Sequence, residues 1–223
     1  YLAKDMFTYQ NLYKQYRTDH IRATKLSNHD ENRARSDLGG SLAKSRQAGA
    51  ILLTAPGSPY VYYGEEMGYI GTKTRGDLYV RSPMYWGDSY TTSYTDEIDQ
   101  ALPPAVGTVL TQQADTASIL NVYRRFSRAR NTYPALASGT MTEHPVYNDK
   151  ASASFPQLAA WYLSGGGEKL LVLHNLGKDQ VTFALNDAID HAVVTLGNVY
   201  IQKEKETNKL KMDSYSSVVF KIK

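Results

Sequence analysis

The 223-residue sequence predicts an α/β region followed by an all-β region, with the change of texture near Ser138. Two patterns carry that expectation. Up to that point, runs with a helical apolar period alternate with short strand-like runs, the helix, strand, helix, strand order of a parallel sheet. Beyond Gly139, short apolar runs follow one another between turn residues, the pattern of a small antiparallel sandwich. The expected division is therefore residues 1–138 and 139–223.

Leu2, Met6, Tyr9, Tyr13 and Tyr16 step by four, three, four and three, one stripe of an amphipathic helix. Thr18-Asp19-His20 breaks it, and residues 21–26 form a short strand candidate that runs into Asn28-His29-Asp30. Residues 38–54 read as a second helix, in which Ala43, Ala48, Gly49 and Ala50 permit close packing. Pro56-Gly57-Ser58-Pro59 is a turn and residues 60–63 a short buried strand. From Gly71 to Pro104 no period is visible, and a loop of that length in a compact domain usually has a function or is disordered. Ile119, Val122, Phe126 and Ala129 then mark a helix over residues 114–130, stopped near Tyr133-Pro134. In the last third, residues 158–163, 170–175, 181–185, 192–196, 210–212 and 217–222 are the strand candidates.

Composition narrows the function. Hydrophobic content of 42%, charged content of 21% and a net charge of +3 are ordinary globular values. Lys and Arg are interspersed with Asp and Glu, so no basic stripe exists to track a phosphate backbone and nucleic acid is not an expected partner. The absence of cysteine excludes disulfides and thiolate metal sites without fixing a compartment. The five histidines show no metal-ligand spacing, and no apolar run reaches the length of a membrane span. Eighteen tyrosines are many. Aromatic faces suit sugar binding, although most of these rings are expected in the core and sheets.

The motif that bears on chemistry is Leu26-Ser27-Asn28-His29-Asp30-Glu31-Asn32-Arg33, placed where a strand gives way to a helix. The C-terminal ends of strands are where a (β/α)-barrel gathers its reacting groups. Alone, a His-Asp pair reads as a helix N-cap carboxylate with a histidine beside it. Twenty-nine residues after Asp30 comes Pro59-Tyr60-Val61-Tyr62-Tyr63-Gly64-Glu65-Glu66-Met67-Gly68, and then Arg81-Ser82-Pro83-Met84-Tyr85-Trp86. Together these segments resemble the last motifs of the α-amylase clan, glycoside hydrolase family 13. Residues 118–136 are similar to that clan's last barrel helix, and Leu170-Leu171-Val172-Leu173-His174-Asn175 to a strand of the sandwich that follows its barrel. Within the clan, residues 28–39 and 80–84 look closest to the starch-utilisation amylases of gut Bacteroidetes, which sit on the outer membrane.

The resemblance implies the C-terminal part of a (β/α)8 barrel, with its seventh and eighth strands, and then the sandwich. It implies an α-glucan hydrolase acting on starch or maltooligosaccharides, with a clan relative that cleaves α-1,6 bonds or transfers glycosyl groups as one alternative. The other alternative is a glucan-binding fragment without catalysis. Asp30 matches the clan's third acid, which stabilises the oxocarbenium-like transition state, and His29 matches the histidine that hydrogen-bonds the same sugar. Arg81 resembles an arginine that holds the −1 sugar, against the plainer reading of a surface ion pair. Arg33 is expected to brace the loop, and Glu65 and Glu66 to make structural contacts.

Retaining hydrolysis needs two carboxyl groups about 5–5.5 Å apart. By the resemblance both precede residue 1, so the chain is expected to be inactive alone. It is also expected to need the missing N-terminal barrel half, or a second copy, as its partner. No cofactor is expected within the chain, the resemblance allows calcium in the full-length enzyme, and anchoring at the cell surface would come through the absent N-terminal part. Tyr1 and Asp5, four residues apart and off the apolar stripe, are candidates for a surface contact with glucan, against a first-turn Asp that merely complements the helix dipole.

Overall fold

The computed structural model describes residues 2–87, 106–145, 155–204 and 207–223. They form two compact units, one of Tyr1–Ala23, Thr54–Ser58 and Phe126–Lys223, the other of Thr24–Leu53 and Pro59–Arg125.

Helix α1 (Leu2–Lys14) buries Ala3 and Met6, and the Gln10 side-chain amide donates to the Met141 carbonyl at 3.0 Å. The period of the stripe predicts the helix well but its burial poorly. Tyr9 and Tyr13 are 52% and 50% exposed, and Tyr16 lies beyond the end of the helix. Their rings instead meet polar neighbours: the Arg22 guanidinium lies 5.8 Å from the Tyr9 ring centre, and His20 packs on Tyr13 at 5.5 Å. Apolar spacing specifies a face; whether anything covers that face is a separate matter.

Strands β1 (Ala23–Lys25) and β2 (Ser58–Tyr60) pair in a two-stranded sheet. The Ser58 amide donates to the Arg22 carbonyl at 2.7 Å. Gly57 makes this approach feasible: its φ is +100°, and a Cβ there would stand 2.2 Å from the Arg22 oxygen. Both strands are shorter than the sequence predicts, and β2 ends where the expected strand begins. Helices α2 (Ala34–Asp37) and α3 (Leu42–Thr54) lie between them in the chain. Gly49 of α3 faces the Tyr123 ring so closely that a Cβ would be 2.3 Å from it, in keeping with the small residues expected there.

The helix expected over residues 114–130 begins five residues later, as α5 (Ile119–Thr132), and a separate short helix, α4 (Val109–Ala114), precedes it. Asp115 is the reason. Its carboxylate accepts the Ala117 amide at 2.8 Å, and the Ser118 hydroxyl donates to the Gln112 carbonyl at 2.7 Å, so side chains take over the bonds that a continuous helix would make. Pro134 opens the short α6 (Pro134–Ser138) at a first-turn position, where its missing N–H costs nothing.

The rest is antiparallel. Strands β3 (Thr140–Glu143), β4 (Leu158–Gly165), β5 (Glu168–Asn175), β10 (Ser217–Ile222) and β7 (Ile189–Leu196) form a five-stranded sheet in that order. Strands β6 (Val181–Leu185), β9 (Asn208–Met212) and β8 (Val199–Gln202) form a three-stranded sheet. Leu158, Leu171, Leu173, Val218 and Phe220 of the larger sheet share one apolar core with Phe183, Leu185, Leu210 and Met212 of the smaller. That shared core is what makes the pair of sheets a sandwich. Strands β3 and β8 were not expected; β3 buries only Met141, and β8 buries nothing fully although Val199, Tyr200 and Ile201 are strand formers. Among the described residues no helix is long and apolar enough to cross a membrane.

Candidate active-site cluster

Past β1 the chain turns at Asn28, whose side-chain oxygen accepts the Asp30 amide at 2.8 Å. Asp30 is not a helix cap: α2 starts after Arg33, and no side chain caps it. The carboxylate is instead presented outward, its side chain 60% exposed. One oxygen accepts from Arg81 Nη2 at 3.0 Å, and the other lies 3.0 Å from His29 Nε2. Arg81 Nε also donates to the His29 carbonyl at 3.1 Å. The three residues singled out in the sequence, His29, Asp30 and Arg81, thus meet in one cluster although Arg81 lies 51 positions beyond Asp30.

Two further charges join them. Asp77 accepts a hydrogen bond from the Lys73 ammonium and forms an ion pair with Arg81 Nη2 at 2.8 Å, and Lys73 also stands 3.7 Å from Asp30. The salt-bridged hydrogen bond from Lys73 is the main reason that the Asp77 carboxyl titrates below its ordinary range, with the charges of Arg81, Lys73 and His29 adding to it. The sequence signal for these two residues was the spacing of four from Lys73 to Asp77 and from Asp77 to Arg81, across two 3-10 turns at Lys73–Arg75 and Asp77–Val80. A loop without a clear apolar period hid it.

Backbone clips hold the two loops together. The Asn32 side chain accepts the Lys73 amide at 2.7 Å, the Ser36 hydroxyl accepts the Gly71 amide at 2.8 Å, and the Arg33 amide donates to the Gly71 carbonyl at 2.9 Å. Gly71 cannot carry a side chain here, since a Cβ would sit 1.9 Å from the Tyr79 carbonyl oxygen.

Beneath the cluster, Arg33 is fully buried, its guanidinium over the Tyr62 ring at 4.2 Å and near the Tyr63 ring at 4.9 Å. It donates one bond to the Tyr63 carbonyl. Burial lowers its pKa from the ordinary arginine value, with the neighbouring tyrosines opposing that. Glu65 is buried as well, accepting from the Ser27 hydroxyl at 2.6 Å and the Tyr123 hydroxyl at 3.0 Å. Burial raises its carboxyl pKa while those two bonds lower it, and Tyr123 is pushed well above its ordinary value, first by burial and then by the Glu65 charge. Glu65 therefore braces the start of the Asn28-His29-Asp30 turn through Ser27. Glu66 titrates high for the same reason, burial.

Asp5 is exposed in the first turn of α1, and Tyr1 lies outside the described residues. Among the described residues no group of three or more His, Cys, Asp or Glu side chains could hold a metal ion.

Residues 3–139 match the family described as the α-amylase catalytic domain, and residues 158–219 the C-terminal domain of the α-amylase SusG. Over its whole length the chain is 51% identical to the α-amylase SusG of Bacteroides thetaiotaomicron, and over 96% of its length 35% identical to α-amylase 3 of Dictyoglomus thermophilum. It spans 32% and 41% of those two proteins. The crystal structure of an α-amylase from H. orenii shares the fold, with a TM-score of 0.78 at 24% identity, covering 96% of this chain and 43% of that one. The motifs around Asp30, the partial barrel with its sandwich and these matches agree: the chain belongs to the α-amylase family, glycoside hydrolase family 13.

Proposed function

We propose that this chain is the C-terminal portion of a retaining α-amylase that cleaves α-1,4 bonds of starch and maltooligosaccharides. Residues 1–138 complete its barrel and residues 139–223 are its appended sandwich. The observation that carries the reading is the outward-facing Asp30 carboxylate, held by His29 on one oxygen and Arg81 on the other. As the glycosidic bond breaks, positive charge builds on the sugar ring, and a fixed carboxylate lowers the energy of that state most. His29 and Arg81 hold the −1 sugar, and Arg81 is suited to that because its donors form a planar fork. The nucleophile and the acid/base come from the other part of the barrel, as the family resemblance implies, so this chain alone hydrolyses nothing. That other part is the partner which residues 1–138 require, and it carries the cell-surface anchor.

The deciding experiment replaces Asp30 by Asn in the intact parent enzyme. Shape is kept and charge is lost, so kcat on starch should fall by about a thousandfold with little change in ligand affinity. A kcat within threefold of the parent's would remove Asp30 from the transition state.

A further inference from the structure

We infer that Asp77 is a positioning residue for hydrolysis: it holds the Arg81 fork in place and draws Lys73 away from Asp30, so that the charge of Asp30 stays free for the sugar. The inference rests on the reading of Asp30 and Arg81 given above.

Asp77 sits between two cations, four positions after Lys73 and four before Arg81, and forms an ion pair with each. Arg81 Nη2 is shared between Asp77 at 2.8 Å and Asp30 at 3.0 Å, and Nε is spent on the His29 carbonyl. The guanidinium plane is thereby set from two sides, and Nη1 has no bonding partner among the described residues, which leaves it for a sugar hydroxyl. Lys73 is also within ion-pair range of Asp30, but at 3.7 Å, and its close contact is with Asp77. The Lys73 backbone is anchored by its amide's bond to Asn32, which keeps the ammonium within side-chain reach of Asp30.

The charges balance in pairs: two carboxylates, Asp30 and Asp77, face two permanent cations, Lys73 and Arg81. Without the charge of Asp77, both cations would be left to Asp30 alone. A carboxylate neutralised twice over cannot stabilise a developing oxocarbenium ion as well, although it still binds a neutral sugar through hydrogen bonds. The loss should therefore fall on kcat rather than on KM.

Removing the charge and then removing the released cation separates this role from loop anchoring. In the parent enzyme, Asp77→Asn should lower kcat on a maltooligosaccharide about tenfold with KM within twofold. Adding Lys73→Met to that variant should recover at least threefold, because Asp30 is relieved of the extra cation. Asp77→Glu, which restores the charge, should likewise recover at least threefold over Asp77→Asn. A structural anchor behaves otherwise, since deleting its second partner makes matters worse or leaves them unchanged. An unchanged kcat in Asp77→Asn, or a double variant no better than the single one, overturns the inference. If the Asn variant does not fold, Asp77→Ser with and without Lys73→Met gives the same comparison. A parent that keeps its kcat with Asp30→Asn refutes the proposed function instead, and that result is distinct from either outcome at Asp77.

Discussion

In the sandwich, His174 is wholly buried yet served on both ring nitrogens, by the Ser217 hydroxyl at 2.7 Å and the Thr54 hydroxyl at 3.1 Å, with Trp161 stacked against it at 5.0 Å. In residues 22–82 the polar groups are treated differently. Arg22, Thr24, Arg33, Arg46, Glu66 and Ser82 all keep a buried nitrogen or oxygen that has no bonding partner among the described residues, whereas the sandwich has only the Trp161 indole nitrogen in that state. Unserved buried polar atoms are rare in finished folds, because each costs on the order of 1–3 kcal/mol. The buried polar groups of the sandwich are thus nearly all served, in the case of His174 with a hydroxyl from the end of α3. The α/β residues hold the charged cluster around Asp30 and also the unmet bonding, in keeping with the proposal that the remainder of the barrel is their partner.

The comparison says that substitutions in the sandwich should cost stability, and those in the cluster activity. The largest expected effect is that of Trp161→Ala. The side chain is fully buried in the middle of β4, so its loss should destabilise by about 3–5 kcal/mol. Urea unfolding would register that, while kcat of the folded parent should stay within twofold. A large loss of activity without loss of stability would break the division.

The next effect depends on pH. Burial lowers the His174 pKa to about 3, and the His144 pKa is also lowered by burial, against the opposing pull of Asp187. In the unfolded chain a histidine titrates near 6.5, so between about pH 6.5 and 3 the unfolded state binds more protons than the folded one. Stability is then full above pH 6.5 and falls as the pH drops, by up to about 1.4 kcal/mol per pH unit for His174. His174→Gln keeps hydrogen-bonding capacity and does not titrate. Comparing urea midpoints at pH 7 and pH 5, the variant should lose less stability on acidification; an equal loss would mean that His174 does not control the acid limb.

How much of this was legible in the sequence differs between the same two regions. The order of helices and strands and the sandwich could be anticipated, because apolar period is a local property of the chain, and motif order singled out His29, Asp30 and Arg81, which the fold brings into contact. Strand β8 could not, as a strand that faces solvent carries no alternation to read. Nor could the late start of α5, where side-chain bonds of Asp115 and Ser118 to the backbone set the helix end. Lys73 and Asp77 went unnoticed because their meaning comes from a fold-dependent approach to Asp30, 43 and 47 positions away in sequence. The exposed Tyr9 and Tyr13 show the same limit from the other side: a period predicts a face and is silent on its cover.

A smaller effect is expected at Arg81. If its fork holds the −1 sugar, Arg81→Ala in the parent should weaken acarbose-like inhibitors and short maltooligosaccharides together, by about tenfold, the worth of one charge-assisted hydrogen bond. Thermal stability should barely move, since Arg81 is partly exposed and its ion pairs are screened. An unchanged inhibition constant would return Arg81 to the role of a surface ion pair.

The smallest effect tests how far the functional cluster extends. Lys25 at the end of β1 grips Glu31 through both carboxylate oxygens, at 2.6 and 2.5 Å, next in sequence to Asp30. By distance alone it is tighter than the pairs that Asp30 makes with His29 and Arg81. Yet both side chains are nearly half exposed, and neither has a recorded bond to His29, Asp30 or Arg81 among the described residues. Exposed pairs contribute about 0–1 kcal/mol, because water competes for the charges and holding two long side chains costs entropy. Lys25→Ala should therefore shift stability by less than about 0.5 kcal/mol and leave kcat within twofold of the parent's. A tenfold fall would place Lys25 and Glu31 in the same electrostatic unit as Asp30, and the line between the working charges and the merely surface ones would have to be drawn farther out.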